Sequence, residues 1–160
     1  MLRKIILLRH AKSSWEDPSL RDFDRPLSKR GMNDTKLMKV HMASLLKEVD
    51  EIYSSPSLRT SQTIEQLAPE FSHVKYLDSL YLGNFSNVLT ILESIQTQIK
   101  TVMIVGHNPC IQETMETLSK NPVEKFPTCA AAVFSLKNGW SKTAKPIANL
   151  EKFIKPRDFK

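Results

Sequence analysis

Four side chains suited to phosphate chemistry are spread along this sequence: Arg9, His10, Arg59 and His107. A guanidinium group binds phosphate oxygens through two parallel hydrogen bonds, so arginine is well matched to a phosphoryl group. A neutral imidazole can attack phosphorus, while arginines and a second imidazole stabilise the negative charge that spreads over the transition state. These residue types therefore predict phosphoryl transfer through a phosphohistidine intermediate, but they do not say which histidine attacks.

Each of these residues lies just beyond a predicted strand. The strands are expected at residues 5–8, 51–54 and 101–105. Arg9 and His10 follow the first strand, and His107 follows the third after Gly106. Arg59 falls on the first turn of the helix that follows the second strand. The carboxyl ends of parallel strands form the ligand-binding edge of an open α/β sheet, so the four side chains are expected to converge there.

Helical patterns separate the strands, and this alternation predicts an α/β fold with a parallel or mixed sheet. Ser28 is expected to cap a helix whose apolar stripe extends to Val49. Ser55 is expected to cap the next helix, with Pro56 at its first position. Further helices are expected at residues 84–99 and from Pro109 onward.

The remaining chain is expected to extend the sheet. Residues 74–77 predict a short strand, and residues 130–136 and 140–148 predict a hairpin closed by Asn138-Gly139, a pair typical of tight hairpin turns. The polar segment from Lys12 to Pro26 is long for a compact domain, which is typical of a functional loop. Because no repeat, low-complexity tract or linker is found, we interpret residues 1–160 as a single domain.

Composition indicates an ordinary globular protein with an anionic partner. Of its 160 residues, 41% are apolar and 25% are charged. The 23 lysines and arginines outnumber the 17 aspartates and glutamates, which gives a net charge of +6. Since these cations are dispersed along the chain, they do not favour a nucleic acid as partner. The four side chains suited to phosphate chemistry indicate instead a phosphorylated protein or small phosphorylated substrate.

Cysteine usage and hydropathy favour a cytoplasmic protein that does not associate with membranes. Cys110 and Cys129 form neither a disulfide scaffold nor a C-x-x-C motif, and Cys110 is expected to be a small buried side chain. No apolar run matches a signal peptide or could span a bilayer. The sequence also has no G-x-x-x-x-G-K-[ST] phosphate loop and no carboxylate cluster suited to magnesium, so we expect no metal and no cofactor.

Three separated motifs resemble those of the histidine phosphatase superfamily, the phosphoglycerate-mutase-like phosphatases. They are Leu8-Arg9-His10-Ala11-Lys12-Ser13, Ser54-Ser55-Pro56 with Arg59 and Thr63, and Gly106-His107-Asn108-Pro109. Within that superfamily, the short chain, the segment 24–31 and the late Pro127-Thr128 resemble the SixA-type phosphohistidine phosphatases. The resemblance implies a three-layer α/β sandwich, in which a mostly parallel central sheet is flanked by helices on both faces.

The resemblance also implies roles for individual residues. His10 would accept the phosphoryl group within a phosphate pocket formed by Arg9, Arg59 and His107. Arg25 is implied as a further phosphate or substrate contact. Asn108 is a substrate-binding candidate, with capping of a helix or orientation of His107 as the alternatives.

One expected feature of the superfamily is missing from the middle of the chain. Members that cleave phosphate esters commonly carry an acid there, but residues 79–84 contain none, and Asp78 is not at an obvious motif position. An alkoxide leaving group needs a proton from such an acid, whereas a phosphorylated imidazole can leave as a neutral ring once it is protonated. We therefore expect phosphohistidine as substrate. A phosphatase of small phosphate monoesters and a phosphate- or protein-binding module without catalysis stay open as alternatives.

Overall fold

In the computed structural model, which describes residues 2–140, 146 and 148–160, six strands form one sheet. They are β1 (Arg3–Arg9), β2 (Glu51–Ser54), β3 (Val74–Tyr76), β4 (Thr101–Gly106), β5 (Ala131–Leu136) and β6 (Ala148–Ile154). Their order in the sheet is β3-β2-β4-β1-β5-β6. The first four strands in this order are parallel, whereas β5 is antiparallel to both β1 and β6. The mostly parallel sheet is thereby confirmed.

Helices cover both faces of this sheet. The α-helices in the described residues are α1 (Lys29–His41), α2 (Ala43–Lys47), α3 (Leu58–Leu67), α4 (Phe85–Ser94) and α5 (Cys110–Ser119). Side chains alternate along β1, so Ile5 and Leu7 pack with α4 and α5, while Ile6 and Leu8 pack with α1, α2 and α3. This is the expected three-layer sandwich. Within the same described ranges, no helix is long and apolar enough to cross a membrane.

Two predicted helices are shorter than expected. The first is divided, because Met42 leaves the helical conformation with ψ of 1° between α1 and α2. The apolar stripe does not reveal this break, since Met42 remains fully buried. The predicted helix at residues 84–99 ends early, because Ile95 adopts an extended conformation with ψ of 132°.

The start of α3 is also displaced from the predicted position. Ser55 does not cap this helix, because its N–H donates to the Val105 carbonyl at 3.0 Å and so continues the pairing of β2 with β4. Ser57 instead precedes the first helical residue, Leu58. Arg59 still lies on the first turn, as predicted.

The closing hairpin forms with a different second strand. The predicted strand at residues 140–148 is wrong in position, because β6 begins at Ala148. Trp140 contributes its ring to the core and donates from Nε1 to a backbone carbonyl at 2.7 Å. Residues 141–145 and 147 of the predicted strand lie outside the described residues.

The segment between β1 and α1 is anchored at the first turn of α1. The Lys12 carbonyl accepts hydrogen bonds from the backbone N–H of Ser28 at 2.8 Å and from the Ser28 hydroxyl at 3.0 Å. Gly31 lies so close that a Cβ atom there would be 2.1 Å from the same carbonyl oxygen. Glycine permits this approach, which fixes the backbone soon after His10.

Replacing Gly31 by alanine is expected to lower the free energy of unfolding by about 2 kcal/mol, because the added methyl group forces the backbone apart. Chemical denaturation followed by circular dichroism measures the change. The control is Lys36→Ala, at an exposed position of the same helix, with an expected change below about 0.5 kcal/mol. Equal stabilities for the two variants would contradict the close approach of α1 to Lys12.

Candidate active site

The carboxyl ends of β1 and β4 lead into a cavity of about 260 Å³. All six residues predicted for the site line it: Arg9, His10, Arg25, Arg59, His107 and Asn108. The segment after His10 supplies further walls, and Thr128 closes one side. A larger, mainly apolar groove of about 540 Å³ between α2 and the end of α3 contains none of these residues.

His10 is held with one ring nitrogen available for reaction. Its Nδ1 lies 2.7 Å from the Ala11 carbonyl oxygen. Because a carbonyl oxygen can only accept, Nδ1 carries the proton and Nε2 carries the lone pair. The backbone N–H of His10 donates to the Gly106 carbonyl at 3.1 Å, which ties the residue to the end of β4.

The His10 ring is also uncharged at neutral pH. Its side chain is nearly buried, and this burial is the main reason why the pKa of His10 is lowered to about 3. The hydrogen bond to Ala11 opposes this shift, whereas His107, Arg59 and Arg9 add to it. A neutral imidazole with a free Nε2 lone pair is the form that can act as a nucleophile.

His107 lies beside His10, with the ring centroids 5.0 Å apart. Its Nδ1 is 3.3 Å from Nη2 of Arg59, which can only donate, so the proton of His107 is on Nε2. Nε2 is 2.8 Å from the Ser55 hydroxyl oxygen and donates to it. Burial, followed by the charge of Arg59, lowers the pKa of His107 to about 4.

Arg59 is positioned by hydrogen bonds at its backbone carbonyl and at its guanidinium group. At the backbone, its carbonyl accepts from the Thr63 hydroxyl at 2.7 Å, and the Thr63 oxygen accepts from the N–H of Ala11 at 3.0 Å. At the guanidinium, Nη1 donates to the Asp22 carbonyl at 2.6 Å and Nη2 donates to the Asp22 carboxylate at 3.0 Å. The first turn of α3 is thereby fixed relative to His10.

Arg9 and Asn108 share one backbone acceptor. Nη1 of Arg9 and Nδ2 of Asn108 donate to the Phe126 carbonyl at 2.9 and 3.0 Å. The other end of the Asn108 amide accepts from the N–H of Gln112 at 3.3 Å, within α5. The Asn108 side chain therefore connects the first turn of α5 with the Phe126 carbonyl, and these contacts favour a structural role over substrate binding.

Arg25 reaches the cavity from the long segment after β1. Its guanidinium lies 3.4 Å above the centroid of the Trp15 ring. Nη2 donates to the Ser13 hydroxyl, and Nη1 donates to Asp22 at 3.4 Å. The length of this segment therefore serves to bring a third guanidinium group to the same cavity.

Asp22 and Tyr81 form a pair that the sequence analysis missed. The Tyr81 hydroxyl donates to the Asp22 carboxylate at 2.6 Å, and the Tyr81 ring meets the His107 ring edge-on at 5.5 Å. This hydrogen bond, together with Arg59 and Arg25, lowers the pKa of Asp22. The available signal was the three-residue spacing from Asp22 to Arg25, whereas nothing in the sequence connected Asp22 with Tyr81.

The cavity carries more positive charge than its own carboxylate balances. Three guanidinium groups surround it, and the Nε atoms of Arg9 and Arg25 are buried without a hydrogen-bond partner. Buried donors of this kind are normally paired. The arrangement can therefore bind an anion with the geometry of phosphate next to the His10 lone pair.

The two cysteines are not reactive in this arrangement. Burial raises the pKa of Cys110 to about 11 and that of Cys129 to about 12, so both thiols stay protonated. Cys110 is thus a small buried side chain at the start of α5, as expected. In the part of the chain that the structure describes, no three histidine, cysteine, aspartate or glutamate side chains are grouped as metal ligands.

Comparison with known proteins shows similarity along nearly the whole chain. An uncharacterised chloroplastic protein of Arabidopsis thaliana is 33% identical over 155 residues, covering 88% of this chain and 70% of the relative. A crystal structure from Agrobacterium tumefaciens, of a protein proposed to be the phosphohistidine phosphatase SixA, superposes with a TM-score of 0.81. That protein is 29% identical, and the match covers 96% of this chain and 98% of the other.

A second solved structure, from Nakamurella multipartitia and also proposed to be SixA, gives a TM-score of 0.83 at 26% identity, covering 98% of this chain and 97% of that one. The sequence profile of the histidine phosphatase superfamily, branch 1, matches residues 5–87. That range contains the first two of the three sequence motifs, and the cavity adds the third. The chain belongs to the histidine phosphatase superfamily.

Proposed function

We propose that this protein is a metal-independent phosphatase that hydrolyses phosphohistidine on a protein substrate. The observation that carries the proposal is the neutral His10 ring, whose Nε2 lone pair lies in a cavity lined by three arginines. The similarity to the two SixA proteins supports it. Since the cavity draws on residues from Arg9 to Thr128, the proposal treats residues 1–160 as one catalytic domain.

The proposed reaction has two steps. In the first, Nε2 of His10 attacks phosphorus, and the bond from phosphorus to the substrate nitrogen breaks. Arg9, Arg25 and Arg59 bind the phosphoryl oxygens, and His107 completes the pocket by accepting a hydrogen bond from Nη2 of Arg59. In the second step, water attacks the phosphorus of phospho-His10 and the bond from phosphorus to Nε2 breaks. Its electron pair returns to Nε2, and inorganic phosphate leaves with the protons of the water.

The groups in the cavity that could donate a proton favour a phosphoramidate substrate over an alkyl phosphate ester. Asp22 is the one carboxylate among the described residues that line the cavity, and its lowered pKa keeps it ionised at neutral pH. It therefore cannot protonate an alkoxide leaving group. A phosphorylated imidazole that already carries a proton on its second nitrogen needs no such donor, because it leaves as a neutral ring.

The surface around the cavity favours a protein substrate. Trp15 lines the cavity and is 70% exposed. Large exposed apolar side chains next to a binding site are typical of surfaces that contact another protein. The net charge of +6 suits an acidic partner that carries a phosphoryl group.

Replacing His10 by alanine is expected to lower kcat by at least about 10³-fold, because the attacking atom is lost. Release of inorganic phosphate from a phosphohistidine protein measures the effect. His73→Ala, at an exposed position before β3, is the matched control and should retain the full rate. Comparable activity of the two variants would contradict the role of His10.

The substrate class can be tested by comparing leaving groups. We expect kcat/KM for a phosphohistidine protein to exceed that for phosphoserine and other alkyl esters by at least about 10²-fold, because the cavity offers no general acid. p-Nitrophenyl phosphate, whose leaving group needs no proton, should also be hydrolysed. Equal rates on alkyl esters would favour a phosphatase of small monoesters, and binding without turnover of any substrate would favour a binding module.

The charge state of the histidines is measurable without substrate. Because the pKa values of His10 and His107 are about 3 and about 4, both rings should remain neutral by NMR titration from pH 8 down to about pH 5. Their folded-state pKa values lie below the ordinary value of about 6.5. Protonation therefore favours the unfolded chain, and the free energy of unfolding should fall as the pH drops from about 6.5 toward 4. Midpoints near pH 6.5 for both rings would contradict the electrostatic description of the site.

A further inference from the structure

Asp22 places a negative charge at the mouth of a cavity that otherwise attracts anions. Its side chain lines the cavity and is 53% exposed, whereas the guanidinium groups of Arg25 and Arg59 beside it are almost completely buried. A carboxylate in this position weakens the binding of a bare phosphate dianion. Positioning of the arginines alone would not require the carboxylate to face the entrance.

The two oxygens of this carboxylate have different hydrogen-bonding demands. Oδ2 accepts from the Tyr81 hydroxyl at 2.6 Å and from Nη2 of Arg59 at 3.0 Å. Oδ1 has one contact, from Nη1 of Arg25 at 3.4 Å. A carboxylate oxygen can accept two hydrogen bonds, so Oδ1 has room for a donor that enters with the substrate.

The proposed substrate brings such a donor. In a protonated phosphohistidine, one ring nitrogen carries the phosphoryl group and the other carries a proton, so the ring is cationic. Its N–H group makes a strong, charge-assisted hydrogen bond to a carboxylate. Phosphate esters have no positive charge at the corresponding position.

We infer that Asp22 is a specificity-determining residue, whose Oδ1 accepts the hydrogen bond from the protonated ring of phosphohistidine. This inference rests on the proposed function. As Nε2 of His10 bonds to phosphorus, the bond from phosphorus to the substrate nitrogen breaks and its electron pair returns to that nitrogen. The ring leaves as neutral imidazole with its N–H intact, and Asp22 stays ionised throughout.

The charge of Asp22 can be separated from its support of Arg59. The backbone carbonyl of Asp22 holds Nη1 of Arg59 at 2.6 Å and is unaffected by a change of side chain. An asparagine side chain retains one oxygen acceptor but carries no charge. Asp22→Asn therefore removes the negative charge and leaves the backbone contact that supports Arg59.

The test measures kcat/KM of Asp22→Asn on a phosphohistidine peptide and on p-nitrophenyl phosphate. We expect kcat/KM on the peptide to fall at least about tenfold more than kcat/KM on the ester, since the cationic ring of the peptide substrate loses its anionic acceptor and the ester has no such cation. The matched control is Asp24→Asn in the same turn, where the carboxylate pairs with the exposed Arg21. This control should leave both values unchanged.

An equal loss on both substrates, or no loss on either, would overturn the inference. If Asp22→Asn does not fold, Tyr81→Phe removes the 2.6 Å hydrogen bond that orients the carboxylate, and it should lower the peptide-to-ester ratio in the same direction. An unchanged ratio in Tyr81→Phe would then overturn it. A wild-type enzyme that hydrolyses p-nitrophenyl phosphate but not phosphohistidine would instead overturn the proposed function itself.

Discussion

Positive charge surrounds two nearly buried imidazole rings, and the chemistry of the site depends on this arrangement. Burial makes a charged imidazole costly, and the neighbouring guanidinium groups add to that cost, so the pKa values of His10 and His107 lie far below the ordinary value. The arginines that are proposed to bind the phosphoryl group therefore also keep the His10 lone pair available. A proton on His10 would remove the lone pair that the proposed reaction uses and add a further positive charge to a cavity lined by three guanidinium groups.

The backbone keeps these like charges together. The N–H of His10 bonds to the carboxyl end of β4, and Thr63 connects the chain after His10 with the first turn of α3. The Phe126 carbonyl holds Arg9 from the opposite side. Each contact uses a backbone group or a short side chain, so little conformational freedom remains to separate the guanidinium groups when no anion is bound.

Much of the site could be predicted because its residues follow apolar strands or begin helices. Arg9 is the last residue of β1, His10 and His107 directly follow β1 and β4, and Arg59 lies on the first turn of α3, so local patterns placed them at one edge of the sheet. Predictions were wrong where contacts between residues far apart in the sequence determine the structure. Ser55 continues the strand pairing by bonding to β4, and Trp140, predicted to begin a strand, packs into the core.

The contact between Asp22 and Tyr81 in the site could likewise not be predicted from local sequence patterns. These residues are 59 positions apart, and neither belongs to a strand or an α-helix whose end could be placed in advance. The sequence therefore offered no acid at an obvious motif position in the middle of the chain. In the structure, Tyr81 from that region orients the Asp22 carboxylate, which comes from an earlier segment. Asn108 is a related case, since only the fold shows that both ends of its amide are engaged by the backbone.

His10 is proposed to accept the phosphoryl group on Nε2, and the position of phosphate in the trapped intermediate tests this role most directly. The enzyme is mixed with a phosphohistidine protein, quenched in alkali and analysed by mass spectrometry and ³¹P NMR. Because Nδ1 carries the proton that bonds to Ala11, phosphate is expected on Nε2 of His10. Phosphate on Nδ1, on His107 or on any other residue would contradict the account.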